Sequence, residues 1–345
     1  MNVVELTRDL VRLSSESGRE DQVVDYLEAL FTRFGWKPAR SGRNLHVVVG
    51  EGEKLLLLNS HTDTVPVGEG WTKPPLEGSI EDGKLYGRGS NDAKGCLASM
   101  IVGLKNASTG GLSGRVCLAA TCEEETSGQG LEVLIKSLPK PDAAVVGEPT
   151  GLQPAVAQKG LLLLHVTAKG RSAHAAWGGG VNAVESAARD VLALGGLRFE
   201  RSHPALGVPS VAVTQIQGGT RHNVIPDRCT LTLDIRTTPS YAPHELVELV
   251  KARVGGDVTI RSQRLEAVDT DPSHAVVQAA LAANPGARPF GSPTVSDWVF
   301  LKGVPTVKVG PGDSRRSHTP DEYVGVEELE KGAKFYEDMI GRYFA

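Results

Sequence analysis

Five separated stretches of this chain end an apolar run, or lie in a polar turn, with side chains able to bind a metal or carry a proton. Leu55-Leu56-Leu57-Leu58 leads into Asn59-Ser60-His61-Thr62-Asp63, so an imidazole and a carboxylate stand two residues apart and face one way if the chain stays extended. His61 can then ligate through one ring nitrogen while Asp63 orients its neighbourhood. Gly87-Arg88-Gly89-Ser90-Asn91-Asp92 is a glycine-rich turn ahead of a helix, where Asp92 has two competing uses, as the cap of that helix or as a ligand. The run Val116–Cys122 opens into Glu123-Glu124-Glu125. Three like charges at the mouth of a buried strand repel one another and lose solvation, which a bound cation offsets. Glu148 follows the run Ala143–Val146, and His318 lies in Ser317-His318-Thr319-Pro320-Asp321-Glu322. Each of these taken singly has a plainer use, as a surface histidine, a helix cap or a solvated acidic turn. Together, two imidazoles and three or four carboxylates suit zinc or another borderline divalent ion better than magnesium, and their number admits two ions.

Such residues need a frame that delivers them to one place. Continuous apolar runs at Leu45–Val49, Leu55–Leu58, Val116–Ala120, Ala143–Val146 and Val304–Val309 predict strands buried on both faces. Helical spacing predicts two helices separated by a loop within Val4–Phe34, and a terminal helix over Val326–Tyr343. Leu161–Ala168, Val181–Leu194, Ser210–Gln217, Cys229–Arg236, His244–Val254 and Val258–Ser262 read as strand, helix, strand, strand, helix, strand. The expected class is α/β: a mixed-sheet domain made of residues 1–159 and 266–345, with an inserted α+β, ferredoxin-like domain at residues 160–265.

Composition narrows the function classes. A chain of 345 residues with 40% hydrophobic and 23% charged residues is globular, with room for two domains. A net charge of -4 and no basic cluster interleaved with aromatics argue against nucleic acid as a partner. The first residues carry no leader pattern and no apolar stretch is long enough to span a bilayer, so the expectation is a cytoplasmic protein without a membrane partner. Cys96, Cys117, Cys122 and Cys229 lack CxxC spacing and are expected to be free, mostly buried thiols.

His61-Thr62-Asp63-Thr64-Val65-Pro66, Tyr86-Gly87-Arg88-Gly89-Ser90-Asn91-Asp92-Ala93-Lys94-Gly95, Glu123-Glu124-Glu125, Gly147-Glu148-Pro149-Thr150 and Ser317-His318-Thr319-Pro320-Asp321-Glu322 follow one another in a recognisable order. With them the chain resembles, over essentially its whole length, the co-catalytic zinc family of acetylornithine deacetylases, succinyl-diaminopimelate desuccinylases, aminoacylases and carboxypeptidase G. The resemblance implies a catalytic domain of zinc-peptidase type holding two zinc ions per subunit, with cobalt able to substitute. It implies that Asp92 bridges the ions, that His61 and Glu148 complete one site and Glu125 and His318 the other, with Asp63 supporting the site and Glu124 as general base. The chain departs from the family at Glu123, where aspartate is usual. The resemblance also makes the inserted domain a lid through which a homodimer forms. His174, in Gly170-Arg171-Ser172-Ala173-His174-Ala175, would reach the partner subunit's site and hold the oxyanion, and Asn223 and Arg236 would touch substrate.

The implied chemistry is hydrolysis of the N-acyl amide of a small-molecule acylated amino acid. Gly291–Trp298 and Gly310-Pro311-Gly312-Asp313-Ser314 look most like the acetylornithine deacetylase branch, in which Gly310, Gly312 and Ser314 would receive a carboxylate. The expected substrate is N-acetylornithine, giving ornithine and acetate in arginine biosynthesis. Succinyl-diaminopimelate, N-succinylornithine, N-acetylcitrulline, or lysine or ornithine carried on a protein remain alternatives. A catalytically inactive metal-binding scaffold is the contrasting class; it should have damaged its base or ligands, whereas Glu124, Asp92 and both histidines are present.

Overall fold

The leucine run forms the strand Leu55–His61, buried at every residue because it has strands on both sides and helices on both faces. It lies parallel to Arg115–Thr121 on one side and to Ala143–Val146 on the other. Thr306–Lys308 continues the parallel set beside Ala143–Val146, and Asn44–Val49 joins the far side antiparallel to Arg115–Thr121, so the sheet is mixed. The computed structural model describes residues 1–126 and 129–345, in two units. The first, holding this sheet, comprises Met1–Val156, Asp269–Phe290 and Ser296–Ala345.

Helices of the first unit flank the sheet. Val3–Arg12 is started by the Asn2 side chain, which accepts hydrogen bonds from the Val4 and Glu5 amides. Asp21–Arg33 follows after the expected loop. Lys94–Thr109 is buried along residues 94–104 and packs on the C-terminal helix Val326–Phe344. The sequence made Asp92 a candidate cap of the Lys94–Thr109 helix; the structure gives that position to Ala93, with no side-chain bond, and turns Asp92 toward two histidines. The strand expected over Val304–Val309 is shorter, Thr306–Lys308, because Gly303 turns at φ 78 and Pro305 has no N–H to give the ladder.

The second unit comprises Ala157–Val268 and Gly291–Val295. Its antiparallel sheet runs in the order Ser210–Gly218, Arg228–Thr237, Gly160–Lys169, Asp257–Leu265. The helices Ala183–Gly195 and Pro243–Lys251 pack on one face, where Leu162, Leu164, Val166, Leu231, Leu233 and Ile235 form the core. This is the strand-helix-strand-strand-helix-strand order read from the sequence, and the strand arrangement is that of a ferredoxin-like layer. The first helix begins two residues later than expected, since the Asn182 side chain caps it by accepting from the Val184 and Glu185 amides. All four cysteines are free and buried.

Candidate active site

The parallel strands of the first unit end on one edge, and the loops beyond those ends carry the acidic and histidine residues. Open α/β sheets present their ligand crevice at this edge. His61 is the last residue of its strand, Glu124 and Glu125 follow Arg115–Thr121, and Glu148 lies two residues beyond Ala143–Val146. Asp92 and His318 arrive on loops, with His318 in the left-handed region at φ 63.

The side chains form a chain of near contacts. His61 Nε2 is 3.9 Å from Glu148 Oε1 and 3.2 Å from Asp92 Oδ1. Asp92 Oδ2 is 3.6 Å from His318 Nε2, which is 2.9 Å from Glu125 Oε1. Asp92 therefore offers one oxygen to each histidine. His61, Asp92 and Glu125 each have a donor atom within 4.8 Å of the others. The remaining nitrogen of His61, Nδ1, lies 2.9 Å from the Asp63 carbonyl oxygen, which suits a proton on Nδ1 and a lone pair on Nε2. The Asp63 carboxylate accepts from the Glu124 and Glu125 amides at 3.1 Å each and from the Ser17 hydroxyl at 2.7 Å.

The three consecutive glutamates separate by partner. Glu123, at φ 54, turns its carboxylate to the Arg43 guanidinium, and its amide donates to Glu20 Oε1 at 3.2 Å. Glu125 bonds His318. Glu124 is part-buried, with Glu148, His61, Asp297 and Glu125 around it.

Burial, then the charge of Glu148, pushes the Glu124 carboxyl well above the usual range. Burial and Asp92 push Glu148 up to about 8. Burial works against a charged His61, yet Asp63, Asp92 and Glu124 together hold it well above an ordinary imidazole. For Asp92 the burial penalty is outweighed by His61, Ser317 and His318, leaving it low. The His318 imidazole is raised by its hydrogen bond to Glu125 despite partial burial. Carboxylates packed closely enough to raise one another, with imidazoles between them that can exchange a proton for a metal, fit divalent cations.

Several supporting residues carry no assigned role in the sequence reading. Glu322 Oε1 accepts the Asn91 and Asp92 amides, both at 3.0 Å, while Oε2 binds Arg88 Nη1 at 2.6 Å. Arg88 and Glu322 are 3% and 1% exposed, so this pair holds the Asp92 loop from inside. Gly89 in that loop, at φ 81, sits where a Cβ would be 2.7 Å from Thr64 Cγ2. Lys94 is buried, held down to about 7 chiefly by burial, and donates to the Leu10 and Leu13 carbonyls. Asp297, raised by burial to about 6, accepts the Thr121 hydroxyl at 2.9 Å. Lys308 is buried with Glu148, Glu124 and Asp92 as its charged surroundings; burial lowers it, against their pull. A lysine inside the apolar run Val304–Val309 was a signal that hydrophobic patterning passes over.

Glu322→Ala leaves Arg88 without its buried counter-charge and two amides without an acceptor. Removing one partner of a buried ion pair costs roughly 3–5 kcal/mol. A marked fall in the thermal unfolding midpoint is therefore expected, and a midpoint within a degree of wild type would contradict this role.

The remaining residues singled out by sequence divide between the two units. In the second unit, Ala173–His174 pairs with Val224–Ile225, and the Ala175 amide donates to Asn223 O at 2.9 Å, so His174 and Asn223 are neighbours. The Ala176 amide donates to His174 Nδ1 at 3.1 Å, which leaves Nε2 as the protonated nitrogen of a neutral ring. Trp177, in the same turn, is 87% exposed. Arg236 is the penultimate residue of the strand Arg228–Thr237, with its guanidinium forked onto Asp234 at 2.9 and 3.1 Å. In the first unit the Gly310 amide donates to Thr150 Oγ1 at 3.2 Å, and the Ser314 hydroxyl donates to Pro149 O at 2.7 Å. Gly312 turns at φ 90 against the Asn91 side chain.

The model of the family described as Peptidase family M20/M25/M40 matches residues 57–342. The chain belongs to this family. An acetylornithine deacetylase of Proteus mirabilis (strain HI4320) is 30% identical over 370 aligned residues, 98% of this chain and 95% of that protein. Among solved structures, a tripeptidase of Staphylococcus aureus subsp. aureus Mu50 shares the fold with a TM-score of 0.82 at 22% identity, covering 99% of this chain and 98% of that one. A Bacillus subtilis M20 peptidase described as dinuclear metal binding shares it with a TM-score of 0.76 at 16% identity, over 98% and 96% of the two chains. M20 enzymes are metal-dependent, and this chain is a metal-dependent hydrolase of the M20 peptidase and amidohydrolase type. Among the described residues, no helix is long and apolar enough to cross a membrane.

Proposed function

We propose that this M20 enzyme removes the acyl group from an N-acyl amino acid, with N-acetylornithine the leading substrate and ornithine and acetate the products. The observation that carries the chemistry is the part-buried Glu124 carboxyl among the charged groups of the chain Glu148, His61, Asp92, His318, Glu125. The substrate follows the acetylornithine deacetylase named above. His61, Asp92 and Glu148 would hold one zinc ion and Asp92, Glu125 and His318 a second, with cobalt able to replace zinc. Bound there, the metal supplies polarisation of the amide carbonyl and a more acidic water.

The chain's own residues then carry the proton and the charge. Glu124 takes a proton from water and returns it to the departing amine, a role favoured by burial that raises its basicity. Asp63 fixes the backbone of Glu124 and Glu125 and the tautomer of His61. His174 would offer its Nε2 proton to the oxyanion in the active site of the partner subunit, and Asn223 beside it would contact the substrate. Arg236, Gly312 and Ser314 complete the substrate-binding set, without Gly310, whose amide Thr150 already takes.

We assign the second unit, residues 160–265 in essence, as lid and homodimer interface. Its edge strand Ser210–Gly218 pairs only with Arg228–Thr237 among the described residues, and Ile216 and Leu192 are 54% and 79% exposed. Open strand edges and exposed apolar side chains favour pairing with a second copy. Four free thiols favour a reducing, cytoplasmic setting, where a place in arginine biosynthesis fits the substrate.

Assay of the metal-loaded protein on N-acetylornithine, N-succinylornithine and succinyl-diaminopimelate tests this. The highest kcat/KM is expected on N-acetylornithine, and failure on all three would sink the biosynthetic reading. One observation favours a second reading, release of lysine or ornithine from an acidic carrier protein. The second unit bears more basic than acidic side chains, although the whole chain carries -4.

A further inference from the structure

Lys308 ends the strand Thr306–Lys308 at 1% exposure. Its partner in the parallel ladder is Val146, and Val146 is in turn the partner of Asn59. Two residues beyond Asn59 its strand ends on His61, and two residues past the end of Ala143–Val146 comes Glu148. Side chains two apart in a strand share a face, so Lys308 stands one pleat repeat, about 7 Å, below the level of His61, with Glu148 in the loop just past the strand between them. A lysine side chain is long enough to bring its ammonium toward that level. The acidic groups around it are Glu148, Glu124 and Asp92.

We propose that Lys308 is a resident counter-charge for this carboxylate cluster, a positioning residue that stabilises the metal-free site and weakens metal binding beside Glu148. This rests on the assignment of Glu148 to a metal site. The sign follows from electrostatics alone. A fixed cation attracts the carboxylates and lessens their mutual repulsion when no metal is present. The same charge repels an incoming divalent ion. The metal-free enzyme would thereby keep its ligands assembled, and the ion near Glu148 would be the more exchangeable one.

The test uses the full chain with Lys308→Met and Lys308→Arg. Zinc affinity is read by competition with a chromophoric chelator, and thermal midpoints are taken with and without zinc. Lys308→Met is expected to bind zinc more than tenfold more tightly, with about 10³-fold as the order expected for one unit charge about 7 Å from a divalent ion in an effective dielectric of about 20. Its metal-free midpoint should fall, and the rise on adding zinc should exceed that of wild type. Lys308→Arg should return toward wild-type affinity. Unchanged or weaker zinc binding by folded Lys308→Met would overturn the proposal, as would equal falls in both midpoints, the mark of a merely structural lysine. If Lys308→Met does not fold, Lys308→Gln carries the same readings. A Glu148→Ala variant that holds as many zinc ions as wild type would remove the metal-site assignment itself, and the proposal with it.

Discussion

Glu124→Gln is expected to lower kcat by about 10²- to 10⁴-fold, the usual contribution of a positioned general base, with KM and metal stoichiometry little changed. The substitution preserves shape and removes only the capacity to take a proton. The backbone around it stays held, because the Glu124 and Glu125 amides donate to Asp63 and not to the side chain being changed. Glu123→Gln serves as the contrast. Its carboxylate pairs with Arg43, so stability should suffer more than turnover. Steady-state kinetics with metal analysis of both variants decides the matter: ordinary activity in Glu124→Gln would show that another group carries the proton.

Stripping the metal is expected to abolish amide hydrolysis, and adding back zinc or cobalt to restore it. The thermal midpoint should drop on chelation, since an ion that binds only the folded chain stabilises it by about 2.7 kcal/mol at a concentration one hundred times its dissociation constant. The packed carboxylates Glu124, Glu148, Asp92 and Glu125 give this effect its cause, because each raises the cost of charging its neighbours until cations enter. Full activity in protein shown by metal analysis to be empty would refute the metal-dependent reading. Recovery of binding without recovery of turnover would instead favour a metal-holding scaffold.

Much of the frame was legible because burial writes itself into local pattern. The runs at Leu55–Leu58 and Ala143–Val146 read as doubly buried strands and are so. The six-element order of the second unit was likewise visible in alternation and helical spacing. Local rules failed where a distant partner outbid them. Asp92 sits ahead of a helix and looks like its cap, yet His61 and His318 claim its two oxygens. Glu123, Glu124 and Glu125 are indistinguishable as types, and only the turn at φ 54 and the position of Arg43 separate them. Gly310 looked like an open backbone donor, but Thr150 holds its amide.

The sequence by itself determined which side chains stand at the ends of apolar strands, and hence that carboxylates and imidazoles gather where a sheet opens. Hydrophobic period and chain direction are properties of neighbouring residues, so they survive without coordinates. Only the tertiary structure decided which oxygen meets which nitrogen, that Glu322 grips the Asp92 loop from 230 positions away, and that Lys308 lies level with Val146 in the ladder, two residues before Glu148. Those relations depend on ladder register and on the directions in which side chains leave segments far apart in the chain, and packing sets both.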